Sequence, residues 1–523
     1  MQEHAKVVVI GGGVVGCSIL FHLAKMGWKD VVLLERNELT SGSSWHAAGS
    51  FHTLSSDPNV SKLQDYTISL YKEIEETSGH SISMHKTGGY YLASNQSWHD
   101  YLKRERSKAR SIGLDQEFVT LDEVVDKHPL IDPEHYVAAL WDPADGDLDP
   151  SGVVYAYAKS ARVHGAEFFT HTPVIETNQR PDGSWDVVTE KGNIHAEYIV
   201  NAGGLWAREV GRMANVHLPV VPMEHHYLIT EEIEQIANLP EGRRLPHCID
   251  FEANIYFRQE NTGVLLGTYE PRSTPWSLDG TPQNFGHDLL DPKLDRIADR
   301  LELAFERIPA LSTAGIKDTI NGPFVFSPDG NPMIGPVPGV KNYWVAVGVM
   351  AGFCQAGGVG KTLSEWMIEG EPSVDVWAMD IARFGDFATP QWGVIKSSEN
   401  YERRFVMTFP NETLPKGRRQ KTTSIYDRLT QKGAVWQDTF GLENVLWFAD
   451  SPEDAYEDPT FHRSRSHDYV AQEVKAVREN LGASEVASFA NHKFTGSGAR
   501  AFLDRILAGH MPERGRVNLS PML

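Results

Sequence analysis

Residues Lys6–Arg36 read KVVVIGGGVVGCSILFHLAKMGWKDVVLLER, and this segment is the most informative part of the chain for its fold class. The apolar run at Val7–Ile10 predicts a buried strand, and the apolar period that follows predicts a helix ending near Lys25. A second apolar run at Val31–Glu35 predicts the next strand. Strand, helix and strand in this order form a βαβ unit, so the chain is predicted to open with a Rossmann-type nucleotide-binding fold.

The glycine loop between the first strand and the helix has the spacing G-x-G-x-x-G. The first glycine permits a tight turn, the second lets the backbone approach a pyrophosphate, and the third lets the helix pack on the strand. The helix N-terminus offers free N–H groups to the phosphates, and Glu35 can accept the ribose hydroxyls. A bound dinucleotide is therefore predicted, with NAD and FAD as open alternatives. The predicted contacts in this stretch are Gly11, Gly13, Val14, Val15, Gly16, Glu35 and Arg36.

The composition indicates a globular protein and excludes several other classes. The chain has 523 residues, of which 41% are hydrophobic, so two or three domains are expected. A formal net charge of −21 argues against nucleic acid as a partner. Three cysteines and the absence of an H-E-x-x-H pattern predict neither a disulfide framework nor a metal site. No membrane span or signal peptide is predicted, and a cytoplasmic location is expected.

Strands and helices alternate at both ends of the first 370 or so residues, and the middle is richer in strands. This pattern predicts an α/β nucleotide-binding domain with an inserted, mainly antiparallel β domain for substrate, an α/β plus α+β organisation. Further strands are predicted at Gly89–Leu92, Glu197–Val200, Ile255–Phe257, Val264–Gly267 and Tyr343–Val347, and helices at Lys62–Thr77, Ser151–His164 and Leu294–Glu306.

The loop Leu39–Gly49, LTSGSSWHAAG, surrounds one Trp–His pair with small residues. It resembles the Ser-Trp-His-Ala-Ala-Gly stretch of the dimethylglycine and sarcosine dehydrogenase family, whose histidine bonds to the 8α-methyl carbon of FAD. His46 matches that histidine, so the resemblance implies FAD attached through His46. Small neighbours let the imidazole lie close to the methyl group. Further cofactor contacts implied in this loop are Ser43, Ser44, Trp45, Ala48 and Gly49.

The resemblance covers nearly the whole chain. Asn201–Ala207 looks like the second cofactor stretch of the family, and Pro328–Pro332 with Gly348–Gly360 looks like the third. A glycine-rich turn that opens a helix at Lys361–Glu369 would aim N–H groups at the flavin pyrimidine edge. The additional cofactor residues implied are Gly203, Trp206, Gly330, Gly352, Phe353 and Gly358.

The resemblance also divides the chain. It implies that residues 1–372 form an FAD-dependent oxidoreductase of the D-amino-acid-oxidase-like fold, with FAD-binding parts at about 1–55, 150–220 and 318–372 and substrate-binding parts at about 56–149 and 221–317. Residues 373–424 are expected to connect it to 425–523. That segment resembles the start of an aminomethyltransferase (glycine-cleavage T-protein) domain, with its likeness at Ser424–Leu429, Phe489–Phe494 and Gly515–Leu523. The domain is expected to be incomplete, and tetrahydrofolate is expected only if it is completed. A helix at Tyr469–Leu481, a strand at Glu485–Thr495 and a helix at Ala499–Leu507 are predicted within it.

Two stretches of the expected substrate domain carry candidate catalytic residues. His225 matches the active-site histidine of the family's His-Gln-Tyr element, with a structural histidine as the alternative. The family's active-site tyrosine falls at Tyr256 or, one register away, at Phe257. Strand alternation puts Tyr256 and Arg258 on one face, so Arg258 is predicted to bind a substrate carboxylate. A surface position is the alternative for Arg258.

The resemblance implies oxidative demethylation of a small N-methyl amino acid of the dimethylglycine or sarcosine type. Hydride transfer to FAD gives an iminium that yields formaldehyde or methylene-tetrahydrofolate, and electron-transfer flavoprotein or oxygen takes the electrons. His225 would set the protonation state of the amine, which Tyr256 would orient. One alternative is another secondary amine, such as N-methylaminobutyrate. The alternative of another class is a non-catalytic flavoprotein regulatory subunit.

Overall fold

The computed structural model describes residues 2–486 and 492–522. The chain divides into two compact units, one made of residues 1–420 with 459–464 and the other of residues 421–458 with 465–523. The first unit therefore includes most of the segment at 373–424 that was predicted to be a connection. No helix in the described residues is long and apolar enough to cross a membrane.

The described residues form helices and strands throughout the chain. The α-helices are α1 (Val14–Lys25), α2 (Pro58–Ser78), α3 (Gln96–Ser111), α4 (Leu121–Lys127), α5 (Pro150–Val163), α6 (Ala207–Met213), α7 (Glu234–Ala237), α8 (Ala298–Arg307), α9 (Gly352–Glu369), α10 (Pro390–Glu402), α11 (Tyr426–Thr430), α12 (Ser466–Glu479) and α13 (Ala499–Ile506). The strands are β1 (His4–Ile10), β2 (Val31–Leu34), β3 (Ser50–Phe51), β4 (Gly89–Ala93), β5 (Glu117–Val119), β6 (Ala138–Asp142), β7 (Gly146–Asp147), β8 (Glu167–Phe169), β9 (Val174–Gln179), β10 (Trp185–Thr189), β11 (Gly192–Asn201), β12 (Val221–Thr230), β13 (His247–Asp250), β14 (Ile255–Glu260), β15 (Gly263–Thr268), β16 (Ile316–Phe326), β17 (Met333–Pro336), β18 (Tyr343–Val347), β19 (Ala434–Thr439) and β20 (Leu442–Phe448). Short 3-10 turns lie at Pro133–His135, Gly204–Trp206, Leu294–Arg296, Pro309–Ser312, Ile381–Arg383 and Pro452–Asp454.

The first sheet is the nucleotide-binding sheet, with strand order β17-β18-β11-β1-β2-β8. Strands β18, β11, β1, β2 and β8 run parallel, and the β9–β10 hairpin extends from β11. Apolar cores on both faces explain why β1 is a continuous apolar run rather than an alternating one. Helix α1 packs on α5 and α9 over one face. The predicted Rossmann-type opening is confirmed.

The second sheet has the order β16-β12-β15-β14-β13-β4-β6-β5. Every neighbouring pair is antiparallel except β13 with β4, so the predicted, mainly antiparallel insertion is also confirmed. Strands β12 and β14 carry the candidate catalytic residues. The five further strands and the helices at α2 and α5 lie where the sequence predicted them. The helix predicted at Leu294–Glu306 is a 3-10 turn followed by α8.

One prediction about local structure is wrong. The glycine-rich stretch Gly348–Gly360 was predicted to be a turn that opens a helix at Lys361, but Gly352–Gly360 already forms the first half of α9. Its glycines allow close helix packing, because a Cβ at Gly358 would lie 2.5 Å from Leu63 Cα of α2. The segment at 373–424, which was predicted to be a connection, contains α10, and this helix packs on the second sheet.

The second unit holds a β19–β20 hairpin with helices α11, α12 and α13. Helices α12 and α13 correspond to those predicted at Tyr469–Leu481 and Ala499–Leu507. Of the predicted strand at Glu485–Thr495, the described residues 485–486 and 492–495 are not strand, and 487–491 lie outside the described residues. Part of Phe489–Phe494, one of the stretches that resemble the T-protein domain, also lies outside the described residues.

Candidate functional site

A large cavity in the first unit reaches from the glycine loop to the second sheet. Its empty space, counting the part open to solvent, is about 1600 Å³. Predicted residues that line it are Gly11, Gly13, Val14, Val15, Glu35, Ser43, Ser44, His46, Ala48, Gly49, Gly203, Trp206, Gly352, Phe353, His225 and Tyr256.

The glycine-loop end has the close backbone packing that the fingerprint requires. Gly11 has a φ of 120°, and a Cβ there would lie 2.4 Å from the carbonyl oxygen of Ala202. A Cβ at Gly16 would lie 1.9 Å from the Gly11 oxygen, so Gly16 packs the helix on the loop instead of lining the cavity. Together the glycines leave an open cradle at the N-terminus of α1, which suits a pyrophosphate.

Glu35 lies at the same end and is buried. One carboxylate oxygen accepts from the backbone N–H of Gly12 at 2.6 Å and the other from Asn37 at 2.8 Å. Burial raises the pKa of Glu35, against the lowering effect of these hydrogen bonds. A carboxylate offers about four lone-pair sites, so acceptor positions remain for ribose hydroxyls. Arg36 lies 4.5 Å from the ring centroid of Trp206 and lines a smaller adjoining cavity that shares Gly11 and Glu35 with the first.

His46 presents a free nitrogen in a buried setting. Its ring packs on the backbone of Gly322, where a Cβ would lie 2.3 Å from the Nδ1 atom. The Nε2 atom is buried without a hydrogen-bond partner among the described residues. Burial lowers the pKa of His46 to about 4, so the imidazole is neutral and nucleophilic near pH 7. Trp45 packs edge-on against this ring at 5.4 Å and does not line the cavity.

His225 on β12 and Tyr256 on β14 form a hydrogen-bonded pair in the cavity wall. The His225 Nε2 atom is 3.0 Å from the Tyr256 hydroxyl oxygen. Gly267 faces Tyr256 across the strands, and a Cβ there would lie 1.9 Å from the ring, so only glycine leaves space for it. Gly322 is the cross-strand neighbour of His225. Because His46 packs on Gly322, the predicted attachment residue adjoins the His225–Tyr256 pair.

Burial also lowers the pKa of His225, to about 4, with the charge of Glu270 as the largest opposing influence. His225 is therefore a neutral base near pH 7. His52 and His247 line the cavity too, and burial lowers their pKa values to about 4 and about 3. These neutral imidazoles supply no permanent charge for a substrate.

The structure does not bring Arg258 to the cavity. The guanidinium donates through Nε to the carbonyl of Ala48 at 2.8 Å and through Nη1 to Glu260 at 2.6 Å. Strand alternation predicted which face of the sheet Arg258 occupies, but it did not predict that Glu260 would neutralise the guanidinium charge. Other predicted residues also serve packing: Gly330, at φ 78°, leaves space for Asn400, and Gly358 leaves space for α2.

Arg404 is a cationic residue of the cavity wall that was not predicted from the sequence. Of the described residues that line the cavity, it is the only arginine or lysine, and no ion pair with a carboxylate is found for it there. Its charge acts on the hydroxyl of Tyr269, whose pKa is raised by burial and lowered by Arg404. Phe405 lines the cavity beside it. The one local indication in the sequence was the pair of arginines between aromatic residues in Tyr401–Phe405, and the surrounding segment has no regular spacing of apolar residues that would predict its position.

Groups of three or more metal-ligating side chains are not found in the described part of the chain. What the cavity offers instead is a phosphate cradle at one end and, at the other, a neutral imidazole–phenol pair with a separate guanidinium. These groups can hold a dinucleotide, accept a proton and bind an anion. An oxidation that begins with deprotonation of a small zwitterion fits this set of groups.

Comparison with known proteins gives a consistent result. The family model described as FAD dependent oxidoreductase matches residues 6–366, its central domain matches 369–423, and the GCVT N-terminal domain matches 425–523. The chain is 37% identical to mitochondrial dimethylglycine dehydrogenase of Mus musculus, over 100% of this chain and 60% of the relative. It is 34% identical to mitochondrial sarcosine dehydrogenase of Homo sapiens, over 91% of this chain and 52% of the relative.

Among solved structures, L-proline dehydrogenase from P. horikoshii is similar with a TM-score of 0.65 and 27% identity. The match covers 73% of this chain and 98% of that one. The chain spans about 60% of the length of the dimethylglycine dehydrogenases that it matches.

Proposed function

Because the chain belongs to the family of FAD dependent oxidoreductases, we propose that it oxidatively demethylates a small N-methyl amino acid of the dimethylglycine or sarcosine type. The single observation that carries this proposal is the His225–Tyr256 pair, with its 3.0 Å hydrogen bond in the wall of the cavity that holds the glycine cradle. Bound FAD would accept a hydride from the N-methyl carbon. The residues of the chain must supply a neutral amine at that point, because an ammonium has no lone pair to stabilise the forming iminium.

In this proposal His225 takes the proton of the substrate ammonium through Tyr256. Its low pKa keeps it unprotonated near pH 7, so it is ready to accept the proton. The iminium product then adds water and releases formaldehyde, with the demethylated amine as the second product. Capture by tetrahydrofolate is a further proposal and depends on a completed T-protein-like domain. Electron-transfer flavoprotein or oxygen is proposed as the electron acceptor.

We further propose that FAD is attached covalently through His46. Support comes from the buried Nε2 atom, which has no hydrogen-bond partner in the described part of the chain, and from the neutral state of the imidazole. The glycine cradle and Glu35 would hold the cofactor independently of this bond.

Arg404, rather than Arg258, is proposed to bind the substrate carboxylate. We expect Arg404→Met to raise the KM for dimethylglycine by about one to two decades, since a charge-assisted hydrogen bond contributes roughly 1.5–3 kcal/mol. The KM for N,N-dimethylaminoethanol, which has no carboxylate, should change little. Steady-state kinetics with both amines measure the difference.

Arg258→Met is the matched control for this prediction. Arg258 holds the Ala48 carbonyl and Glu260, so its loss should affect both amines by the same factor. The assignment of Arg404 fails if Arg258→Met, and not Arg404→Met, separates the two substrates.

The proposed function is tested by anaerobic mixing of the FAD-loaded protein with candidate amines. Dimethylglycine, sarcosine and N-methylaminobutyrate are compared for their rates of flavin reduction, and formaldehyde is measured after turnover. Trimethylglycine is the matched control, because it has the same carboxylate and N-methyl groups but no nitrogen lone pair. Reduction by dimethylglycine and none by trimethylglycine is expected. If none of the N-methyl amines reduces the flavin, the alternative of a non-catalytic regulatory subunit gains support.

A further inference from the structure

Through its other ring nitrogen, His225 begins a buried hydrogen-bonded chain that ends on a carboxylate. The Nδ1 atom is 3.1 Å from the hydroxyl oxygen of Tyr401, and Tyr401 donates in turn to Glu270. The exposed fractions of His225, Tyr401 and Glu270 are 8%, 0% and 2%. Tyr401 lies on α10, within the segment 373–424 that was predicted from the sequence to be a connection.

Glu270 is ionised in this setting. Burial alone would raise its pKa, but the contacts with His226 and Tyr401 hold the pKa of Glu270 below its ordinary value. Arg296 adds a charge-assisted bond, with Nη2 at 2.9 Å from the carboxylate. The Nδ1 atom of His226 lies 3.4 Å from the same oxygen. Buried charges of this kind persist only when they are paired, and here Arg296 supplies the opposite charge.

The ionised carboxylate fixes the direction of every hydrogen bond in the chain. A carboxylate can only accept, so Tyr401 must give its single proton to Glu270. The Tyr401 oxygen then accepts from Nδ1–H of His225. A neutral imidazole carries one proton, so the Nε2 atom of His225 holds a lone pair, and Tyr256 donates to it. The Tyr256 oxygen is left as an acceptor on the wall of the cavity.

Of the charged groups around His225, Glu270 is the one that most stabilises the protonated imidazolium form. The titratable and charged groups that face it are Tyr256, Tyr269 and Tyr401, the imidazoles of His46 and His226, the guanidinium of Arg296 and the carboxylate of Glu270. Among these, Glu270 raises the pKa of His225, whereas His226, His46 and Arg296 lower it by smaller amounts. Arg296 also bonds Glu224, so its charge is shared between two carboxylates.

We propose that Glu270 and Tyr401 are positioning residues that enable His225 to take the proton of the substrate amine. The N–H bond of the ammonium breaks as its proton moves to the Tyr256 oxygen, and the Tyr256 O–H bond breaks as its own proton moves to Nε2 of His225. A neutral amine, a neutral Tyr256 and an imidazolium result. Glu270 balances the imidazolium charge through the hydroxyl of Tyr401. This inference rests on the proposed function, because it requires an amine substrate.

Glu270→Gln and Tyr401→Phe test the proposal at nearly constant volume. Each should lower the rate of flavin reduction by dimethylglycine near pH 7 about tenfold, since an opposite charge nearby shifts a pKa by about one to three units. The deficit should narrow as the pH rises toward about 10, where a free amine loses its proton to water. A second readout is NMR of isotope-labelled histidine, with His225 assigned from the spectrum of His225→Gln. The His225 proton is expected on Nδ1 in the unchanged protein, and distributed over both nitrogens in Tyr401→Phe.

The chain contains a matched control pair. Tyr136 donates to the buried carboxylate of Asp250 at 2.8 Å, and Arg307 lies 3.4 Å from the same carboxylate, but neither Tyr136 nor Asp250 lines the cavity. Tyr136→Phe and Asp250→Asn should lower stability and leave the pH profile of flavin reduction unchanged.

The possible outcomes separate the two proposals. If Glu270→Gln and Tyr401→Phe keep the pH profile of the unchanged protein, the positioning role is overturned. If no N-methyl amine reduces the flavin of the unchanged protein, the proposed function fails. The histidine NMR then still decides the tautomer, and a proton found on Nε2 of His225 would overturn the positioning role by itself.

Discussion

His46→Ala is expected to give a protein that releases all of its FAD when it is precipitated with acid, whereas the unchanged protein keeps its yellow colour in the pellet. The cofactor should still bind, because Gly11, Gly13 and Glu35 are untouched. His46 lines the cavity, and its Nε2 atom has no hydrogen-bond partner within residues 2–486 and 492–522, whereas alanine offers no nucleophile in its place. Absorbance of the pellet and of the supernatant measures the attached fraction. Acid-stable flavin in His46→Ala would mean that the attachment residue is misassigned.

Gly322→Ala extends this test without removing the imidazole. A Cβ at this position would lie 2.3 Å from Nδ1 of His46, so the ring must move, and attachment should be lost or greatly slowed. Gly267→Ala is the matched substitution in the same sheet. It displaces the ring of Tyr256 instead, and should therefore slow flavin reduction while attachment remains complete. Opposite results for the two variants would contradict the geometry of the site.

The second large effect is expected for His225→Gln, which keeps hydrogen-bonding capacity but cannot take a proton. The rate of flavin reduction by dimethylglycine should fall by roughly 10²-fold or more, within the range for general acid–base groups. The flavin spectrum should be unchanged. Stopped-flow absorbance under anaerobic conditions measures the rate directly.

The pH dependence of His225→Gln follows from the state of the imidazole. Burial lowers the pKa of His225 to about 4, so in the unchanged protein the rate falls as the pH falls through the apparent pKa of the His225–Tyr256 pair. A protonated imidazole cannot accept the amine proton. In His225→Gln this acid limb should be absent, and the rate should rise only toward the pKa of the amine, near about 10. An unchanged rate and profile would make His225 structural, with His226 as the next candidate.

Local sequence signals predicted the parts of the fold that form from neighbouring residues. The strand, loop and helix at the start of the fold could be predicted because the apolar periodicity and the glycine spacing both lie within Lys6–Arg36. Gly352–Gly360 could not be read in this way. Glycine disfavours helices by about 1 kcal/mol, which predicts a turn, but the contact of α9 with α2 depends on residues nearly 300 positions away and requires glycine there.

The candidate site shows the same division. Family resemblance and strand alternation located His225 and Tyr256, because both depend on motifs within single strands. Alternation gave the face of Arg258 but could not show that Glu260 neutralises it. Arg404 and Tyr401 were missed because their importance comes entirely from tertiary packing. The segment that carries them shows no regular spacing of apolar residues. Its place beside the site can be seen only in the structure, where the segment packs on the second sheet.

The packing of α1 on α9 has a consequence for when the protein can acquire its cofactor. Helix α9 follows α1 by more than three hundred residues, and the central strand β1 depends on β11, which is also distant in the chain. Contacts so far apart in sequence form slowly, because a long loop must close first. At about 5–20 residues per second, a ribosome needs roughly 15–70 s to advance from α1 to α9. The glycine loop is therefore synthesised well before the helix that packs against α1, and the complete cradle for the cofactor must wait for α9.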